Sequence, residues 1–252
     1  MGRVEGRVAI VTGAAQGIGA VYAKALAAEG GAVCVADVLP GADTVAAIEA
    51  AGGRAIYHRT DVSDPDSVQA MVDAALGAFG RVDILVNNAA IYASLSLKPL
   101  TDIDPAEWDK VMAVNVKGAF LCARAVIPVM RRQKWGRIIN IASGTPYKGT
   151  PFMLHYVTSK GAIVAMTRAI SREVGDDGIR VNTLSPGLVL SEGVIANETL
   201  RDRLTGPVLA SRAVKRDQTP DDLIEPLLFL VSSGSDFITG QSLVVDGGSV
   251  NN

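Results

Sequence analysis

The sequence predicts an α/β fold, in which one doubly wound, parallel sheet of seven strands carries helices on both faces. Short apolar runs rich in β-branched residues alternate along the chain with longer, Ala-rich segments of helical periodicity. Several runs are apolar nearly throughout, as at residues 8–11 and 84–86, which is typical of parallel strands covered on both faces. No linker or composition break divides the 252 residues, so we expect a single domain over residues 1–252.

Each predicted strand is a short apolar run that is followed by a turn residue or a helical segment. The predicted strands are residues 7–12, 32–37, 55–61, 82–87, 137–142, 180–185 and 242–246. The predicted helices are residues 17–29, 41–51, 64–78, 104–132, 155–175 and 220–232. Residues 187–219 lack clear periodicity, and a stretch this long is usually functional or disordered, so we expect a substrate lid around residues 188–216. A surface helical insertion that only packs is the alternative.

Composition and charge exclude several classes of protein. With 48% hydrophobic and 20% charged residues the chain has the balance of a globular protein. Lys and Arg number 24 against 26 Asp and Glu, without a cationic block, which argues against a nucleic-acid partner. We see neither an apolar signal core nor an apolar run that approaches a membrane span, and we expect a cytoplasmic protein without a membrane partner. Cys34 and Cys122 lie in apolar stretches, which favours buried free thiols over a metal site.

A glycine-rich loop follows the first predicted strand and leads directly into the first predicted helix. Its sequence is Thr12-Gly13-Ala14-Ala15-Gln16-Gly17-Ile18-Gly19. Glycines permit a tight turn and a close approach of the backbone, while the helix presents unpaired N–H groups to a pyrophosphate. The glycine spacing is a variant of the dinucleotide fingerprint, so the loop predicts a Rossmann-type, dinucleotide-binding sheet. Contacts to the cofactor are expected from Gly13, Gln16, Gly17, Ile18 and Gly19.

The end of the second strand predicts NAD as the cofactor. Asp37 stands where a carboxylate can accept hydrogen bonds from the adenosine ribose, and a 2′-phosphate would be repelled there. Its neighbours Val38 and Leu39 offer no compensating cation. The next two strands end at the same edge of the sheet, where we expect further cofactor contacts from Asp61, Val62, Asn88, Ala89 and Ala90. For the Asn87-Asn88 pair, turn chemistry alone is equally plausible.

Tyr156 and Lys160 form the central pair of the predicted site. Their spacing places both side chains on one helical face. Ionising a phenol at pH 7 costs about 4 kcal/mol, and a cation beside it lowers that cost. Assisted by Lys160 and an oxidised nicotinamide, Tyr156 could accept the alcohol proton in oxidation and return it in reduction, while the cofactor carries the hydride. Taken alone, a Tyr and a Lys at this spacing are more often a surface pair.

Two further polar residues complete the predicted chemistry. Ser143 follows the fifth strand at the same edge, where its hydroxyl could hold the substrate oxygen. Asn115 lies in the long apolar helix and could anchor a water that relays protons from Lys160. A helix kink in which the amide is satisfied is the alternative for Asn115.

These pieces together resemble the short-chain dehydrogenase/reductase family across essentially the whole chain. The matching pieces are Thr12–Gly19, Asp61, Asn87–Ala89, Asn115, Ser143, Tyr156 with Lys160, Pro186-Gly187, and Thr239-Gly240-Gln241 with Asp246-Gly247-Gly248. The resemblance implies a catalytic tetrad of Asn115, Ser143, Tyr156 and Lys160. It also implies a seven-stranded sheet, a homotetramer, and nicotinamide contacts from Pro186, Gly187, Val189 and Ser191. Ala90 stands where the family usually has Gly, and Ser191 where it often has Thr.

The residues that flank the tetrad predict the class of substrate. They are largely apolar or aromatic: Ile91, Tyr92, Thr145, Tyr147, Phe152, Met153 and Leu188. Lys148 is the one cation noted beside them, which favours a small, neutral, cyclic or aromatic secondary alcohol. Residues 141–194 also resemble family members that oxidise benzylic-type alcohols. We therefore predict an NAD-dependent alcohol dehydrogenase or carbonyl reductase.

Other interpretations of the sequence stay open. A 3-oxoacyl thioester reductase, which would be expected to use NADPH, is the alternative enzyme. A dinucleotide-sensing protein without turnover is the alternative from another class. His58 and His155 are interpreted as structural residues, and no metal site is expected. The helix at residues 111–130 is apolar on most faces, which favours contact with a second subunit over a deep groove within one chain.

Overall fold

The computed structural model describes residues 2–250 and confirms the predicted sheet. Its strands are β1 (Val8–Thr12), β2 (Ala32–Asp37), β3 (Arg54–Arg59), β4 (Ile84–Asn87), β5 (Gly136–Ile141), β6 (Ile179–Pro186) and β7 (Ser242–Val245). Every pairing between neighbours is parallel, in the order β3-β2-β1-β4-β5-β6-β7. The chain winds in opposite directions from β1, so β1 and β4 flank the point where such sheets bind ligands.

Ten α-helices lie among the described residues. They are α1 (Gly17–Ala28), α2 (Ala42–Ala50), α3 (Pro65–Phe79), α4 (Pro105–Met112), α5 (Gly118–Gln133), α6 (Thr145–Lys148), α7 (Leu154–Val174), α8 (Glu192–Ala196), α9 (Glu198–Ser211) and α10 (Ile224–Val231). Local chemistry sets several of these ends. The Asp64 side chain accepts the N–H of Asp66 at the start of α3, and Gly80 ends that helix with φ 79°. The same Asp-Pro device starts α4 at Asp104.

The core has two layers because successive side chains of a strand point to opposite faces of the sheet. On one face Ala9 and Val11 of β1 pack with helices α1, α2 and α10. On the other face Ile10 packs with helices α3 and α5. Strands β1, β2 and β4 are apolar up to their last residue because helices cover both faces of the sheet. Both cysteines are free thiols buried in the second layer, as predicted, and burial raises the pKa of each to about 12.

The helix predicted at residues 104–132 is interrupted by a π-helical turn, Ala113–Lys117, between α4 and α5. Turns of this kind are frequent at functional sites, and this one contains Asn115. By length and mean hydropathy alone the continuous stretch Pro105–Gln133 could cross a membrane, whereas no apolar run of that kind was expected from the sequence. Its residues Leu121, Val126 and Met130 instead pack on the sheet. Localisation in the cytoplasm stays a prediction.

The region without periodicity, residues 187–219, is mostly helical, since it contains α8 and α9. Helix α9 includes Pro207 and has scattered charges, so its sequence shows no continuous apolar stripe. Leu188, Val194 and Leu204 from this region pack in one cluster with Met153 and Tyr156. The predicted lid therefore lies against the start of α7. Helix α6 was also missed, because a single turn is too short to show a period.

Candidate active site

A cleft of about 750 Å³ opens at the carboxyl edge of the sheet, beyond the ends of β1 and β4. It brings together every residue that the sequence predicted to contact the cofactor. These residues are Gly13, Gln16, Gly17, Ile18, Gly19, Asp37, Val38, Asp61, Val62, Asn88, Ala89, Ala90, Tyr156, Lys160, Pro186, Gly187, Val189 and Ser191. Ser143 lines the same cleft, whereas Asn115 lies behind it.

The glycine-rich loop is held in place by the end of β4. The Asn88 Nδ2 atom donates to the carbonyl oxygens of Thr12 and Gly13, at 2.9 Å each. Gly13 and Gly17 have φ of 64° and 58°, the left-handed region that favours glycine. A Cβ on Gly19 would lie 2.1 Å from the Gly13 carbonyl oxygen. Asn88 thus ties the loop to the sheet and also lines the cleft, so both interpretations of this residue have a basis in the structure.

The N-terminus of α1 points its unpaired donors towards this cleft. The first backbone bond of the helix runs from the Ala20 N–H to the Gln16 carbonyl, and no side chain caps the turn. The N–H groups of Gly17, Ile18 and Gly19 therefore have no acceptor within the helix. Such a helix end, with glycines that allow close approach, fits the pyrophosphate of a dinucleotide.

Two carboxylates line the cleft beyond the ends of β2 and β3, where the sequence predicts the adenosine ribose. Asp37 is 8% exposed, and its two oxygens accept the N–H groups of Ala15 and Leu39 at 2.9 and 3.0 Å. Hydrogen bonds from the Ser63 hydroxyl and N–H hold the pKa of Asp61 below its usual range. Within residues 2–250 no Arg lines the cleft, and the lining Lys residues are Lys110, Lys148 and Lys160. The ribose region is therefore acidic.

Tyr156 and Lys160 lie on the first two turns of α7 and are almost fully buried. The Lys160 Nζ atom donates to the Ile141 carbonyl at 2.7 Å and lies 5.7 Å from the centre of the Tyr156 ring. Burial lowers the pKa of Lys160 to about 8. Burial raises the pKa of Tyr156 to about 12, against an opposing hydrogen bond with Ser143.

Burial has a larger effect on the pKa of Tyr156 than the hydrogen bond with Ser143, which opposes it. The cost of ionising the phenol at pH 7 rises from about 4 to about 7 kcal/mol, because burial removes the phenolate from water. Lys160 keeps its positive charge at pH 7, since its pKa lies above that value. The phenol is therefore protonated at pH 7, and positive charge placed beside it would lower the cost of its ionisation.

Ser143 follows β5 and is 6% exposed. Its Oγ atom accepts the N–H of Thr145, the residue that begins α6, at 3.2 Å. The neighbouring Gly144 N–H donates to the Pro186 carbonyl at 2.8 Å, which joins the ends of β5 and β6. The Ser143 hydroxyl is thus fixed beside Tyr156 at the wall of the cleft.

Asn115 connects three elements behind the cleft. Its Oδ1 atom accepts the Ile91 N–H at 2.8 Å, and its Nδ2 atom donates to the Ile91 carbonyl and to the Ser159 hydroxyl. Ser159 in turn donates to the Tyr156 carbonyl at 2.7 Å. Ser159 was missed by the sequence analysis, although it lies one helical turn beyond Tyr156. Asn115 and Lys160 also line a cavity of about 10 Å³, close to the volume that one water needs.

The substrate side of the cleft differs in part from the prediction. Ile91, Tyr92, Thr145, Met153, Leu188 and Lys148 line it as expected. The prediction was wrong for Tyr147, whose hydroxyl donates to Ser242 at 2.7 Å, and for Phe152, which is 55% exposed. Lys110 lines the cleft and was missed, because periodicity does not show which side of α4 faces the cleft. The Tyr92 ring lies 4.6 Å from the Tyr156 ring, centre to centre.

Known proteins are similar to this chain in sequence and in architecture over almost their whole length. The family model described as enoyl-(acyl carrier protein) reductase matches residues 13–250. A cyclopentanol dehydrogenase of Comamonas is 37% identical over 253 residues, which cover 98% of each chain. The cis-4-hydroxycyclohexanecarboxylate dehydrogenase of Sinomonas cyclohexanicum is 38% identical over 243 residues and 96% of each chain. A solved structure from Sinorhizobium meliloti, described as a candidate short-chain alcohol dehydrogenase, superposes with a TM-score of 0.91 at 35% identity, covering 97% of this chain and 96% of that one.

Proposed function

The chain belongs to the short-chain dehydrogenase/reductase family, and we propose that it interconverts a small, neutral, cyclic or aromatic secondary alcohol and its ketone with NAD. It is an oxidoreductase of a family that uses nicotinamide dinucleotides. One observation carries the proposal: the glycine-rich loop with the start of α1, the Ser143–Tyr156–Lys160 group and a set of apolar residues all line the same cleft.

In this proposal Ser143 and Tyr156 hold the substrate oxygen through their hydroxyl groups. Bound in this cleft, NAD would accept the hydride, and its oxidised nicotinamide would place positive charge beside the Tyr156 phenol and so lower the cost of its ionisation. In oxidation Tyr156 accepts the alcohol proton, and in reduction it returns a proton to the carbonyl oxygen. Lys160 stabilises the phenolate with its ammonium group. The small cavity that Lys160 shares with Asn115 supports a relay of that proton through one water.

The preference for ring alcohols is supported by the lining of the cleft and by the relatives. Ile91, Tyr92, Met153 and Leu188 offer apolar or aromatic surface around the Tyr156 hydroxyl. Two of the relatives are named for ring alcohols, cyclopentanol and cis-4-hydroxycyclohexanecarboxylate. The lid, residues 188–216, contributes Leu188, Val194 and Leu204 to the same cluster and would exclude water when it covers the substrate.

The preference for NAD is supported by Asp37. Its carboxylate is fixed by two backbone N–H groups at the rim of the cleft. A ribose hydroxyl can donate to it, whereas a 2′-phosphate would face a like charge. Replacing Asp37 by Ala should shift the NAD to NADP ratio of kcat/KM about 10- to 100-fold towards NADP. Asp43→Ala removes an exposed carboxylate in α2 and should leave the ratio unchanged. An NADP preference already present in the wild type contradicts the proposal.

A homotetramer is part of the proposed function. Phe120 on α5 is 46% exposed, although most apolar residues of that helix are buried on the sheet. An exposed ring on an otherwise packed helix supports contact between copies of α5 across a two-fold axis. Light scattering after gel filtration should give four times the mass of the 26.2 kDa chain, and Phe120→Asp should lower it.

Turnover by the purified protein tests the main proposal. We expect NADH to form from NAD with five- and six-membered ring alcohols and with 1-arylethanols. Tyr156→Phe should lower kcat by roughly 1,000-fold, within the range that general acid–base catalysis contributes. Tyr147→Phe removes a hydroxyl that bonds Ser242 outside the cleft, and should retain wild-type turnover. Near-normal turnover by Tyr156→Phe contradicts the mechanism.

The alternatives give different results in the same assay. A preference for 3-oxoacyl thioesters with NADPH would identify the thioester reductase. Tight binding of NADH without turnover of any substrate in the panel would identify a dinucleotide sensor.

A further inference from the structure

Helix α7 begins without an ordinary cap. Its N-cap residue is Met153, whose side chain makes no capping hydrogen bond, and the first backbone bond runs from the Val157 N–H to the Met153 carbonyl. The N–H groups of the first three helical residues therefore lack an acceptor within the helix. The third of these residues is Tyr156, and a buried N–H without a partner costs about 1–3 kcal/mol.

His155 supplies the acceptor that this helix start requires. The Tyr156 N–H donates to His155 Nδ1 at 3.0 Å, and His155 is 0% exposed. A ring nitrogen that accepts carries no proton, so the neutral ring must carry its proton on Nε2. The Nε2 atom faces the Glu107 Oε1 atom at 3.4 Å, and a carboxylate can accept that proton.

Glu107 is itself fixed by a neighbour. Its other oxygen lies 2.5 Å from Lys98 Nζ, and the Lys98 backbone N–H donates to the Phe152 carbonyl at 3.0 Å. The contacts of His155 with Glu107, of Glu107 with Lys98 and of Lys98 with Phe152 thus form a closed circuit that joins α4, the loop before it and the start of α7. The charged groups that meet His155 through this circuit are Glu107 on α4 and Lys98 on that loop.

From this circuit we propose that His155 is a positioning residue for Tyr156, since its Nδ1 atom holds the first turn of α7 and Glu107 selects the tautomer that can do so. The inference rests on the proposed function, in which the Tyr156 hydroxyl transfers the proton. It changes the interpretation of His155 from a packing residue to one that acts on turnover. An error of about 1 Å in the place of a reacting group can cost roughly 100-fold in rate.

Two substitutions at position 155 separate positioning from packing. His155→Ala removes the acceptor and should lower kcat about 10- to 100-fold, while the KM for NAD stays within about threefold of wild type. His155→Asn places an amide oxygen near the position of Nδ1, and should restore kcat to within about threefold of wild type. His58→Ala is the matched control, since His58 lies on the edge strand β3 and does not line the cleft.

A spectroscopic measurement tests the same inference without turnover. The chain has only two histidines, so His58→Asn in a protein without a histidine tag leaves His155 as the only imidazole. Nitrogen-15 spectra of that protein at pH 7 should show the Nε2–H tautomer with an unprotonated Nδ1. Glu107→Ala should shift the tautomer balance, and Glu107→Gln should preserve it because the amide oxygen still accepts.

The results distinguish this inference from the proposed function. Loss of turnover in Tyr156→Phe, combined with wild-type kcat in His155→Ala, overturns the positioning role alone. An Nδ1–H tautomer overturns it as well, and so does a His155→Asn protein as slow as His155→Ala. If His155→Ala does not fold, the rescue by His155→Asn and the spectrum of the His58→Asn protein decide the matter.

Discussion

Replacing Gly19 by Ala tests whether the glycine-rich loop binds the dinucleotide only when the backbone at Gly19 packs closely against the Gly13 carbonyl. The added Cβ would lie 2.1 Å from the Gly13 carbonyl oxygen and 2.6 Å from Asn88 Nδ2, whereas real Cβ contacts essentially never fall under 3.0 Å. To lengthen the contact with the Gly13 oxygen from 2.1 to 3.0 Å, the loop would have to move by about 0.9 Å. That movement would disturb the two hydrogen bonds by which Asn88 holds Thr12 and Gly13.

A shift of this size should weaken dinucleotide binding about 100-fold, or about 2.7 kcal/mol. The assay is a titration of NADH fluorescence with the purified protein. Gly77→Ala makes the same chemical change in the exposed interior of α3, where nothing lies within 4 Å of the new Cβ, and should leave the Kd unchanged. A Gly19→Ala protein whose Kd for NADH lies within threefold of wild type would refute the idea that this close packing is needed for dinucleotide binding.

Three further outcomes follow from the buried polar groups. Asp83→Ala should lower the free energy of unfolding by about 3 kcal/mol in urea, because the Val8 N–H and two arginines, Arg7 and Arg81, lose a buried acceptor. Asn140→Ala should cost about 2 kcal/mol or more by calorimetry, since it breaks the bond to Thr167 on α7. Ketone reduction should slow as the pH rises through about 8, where Lys160 loses its proton; a kcat that is flat to pH 10 contradicts this.

Much of the candidate site could be predicted because several strand ends carry a residue that lines the cleft. Asp37, Ser143 and Pro186 lie at the carboxyl ends of three strands or within two residues of them, and parallel strands bring those ends to one edge. Tyr156 and Lys160 are four residues apart, so the helix alone places them on one face. Periodicity over a few residues and the order of the motifs were sufficient for these assignments.

The partners of Asn115 and His155 could not be predicted in this way. Asn115 bonds Ile91 and Ser159, and His155 meets Glu107, across separations of 24 to 48 residues. No local pattern encodes such contacts, since they exist only after the helices pack on the sheet. For the same reason the pocket prediction was wrong for Tyr147.

Periodicity and spacing within single segments were enough to predict the seven strands in order, the glycine-rich loop and the Tyr156–Lys160 pair. Only tertiary packing made residues 187–219 mostly helical and brought His155 to accept the Tyr156 N–H at the start of α7. Packing also raises the pKa of Tyr156 to about 12 and lowers that of Lys160 to about 8. Burial sets those shifts, and how deeply a side chain is buried depends on segments far away in the chain.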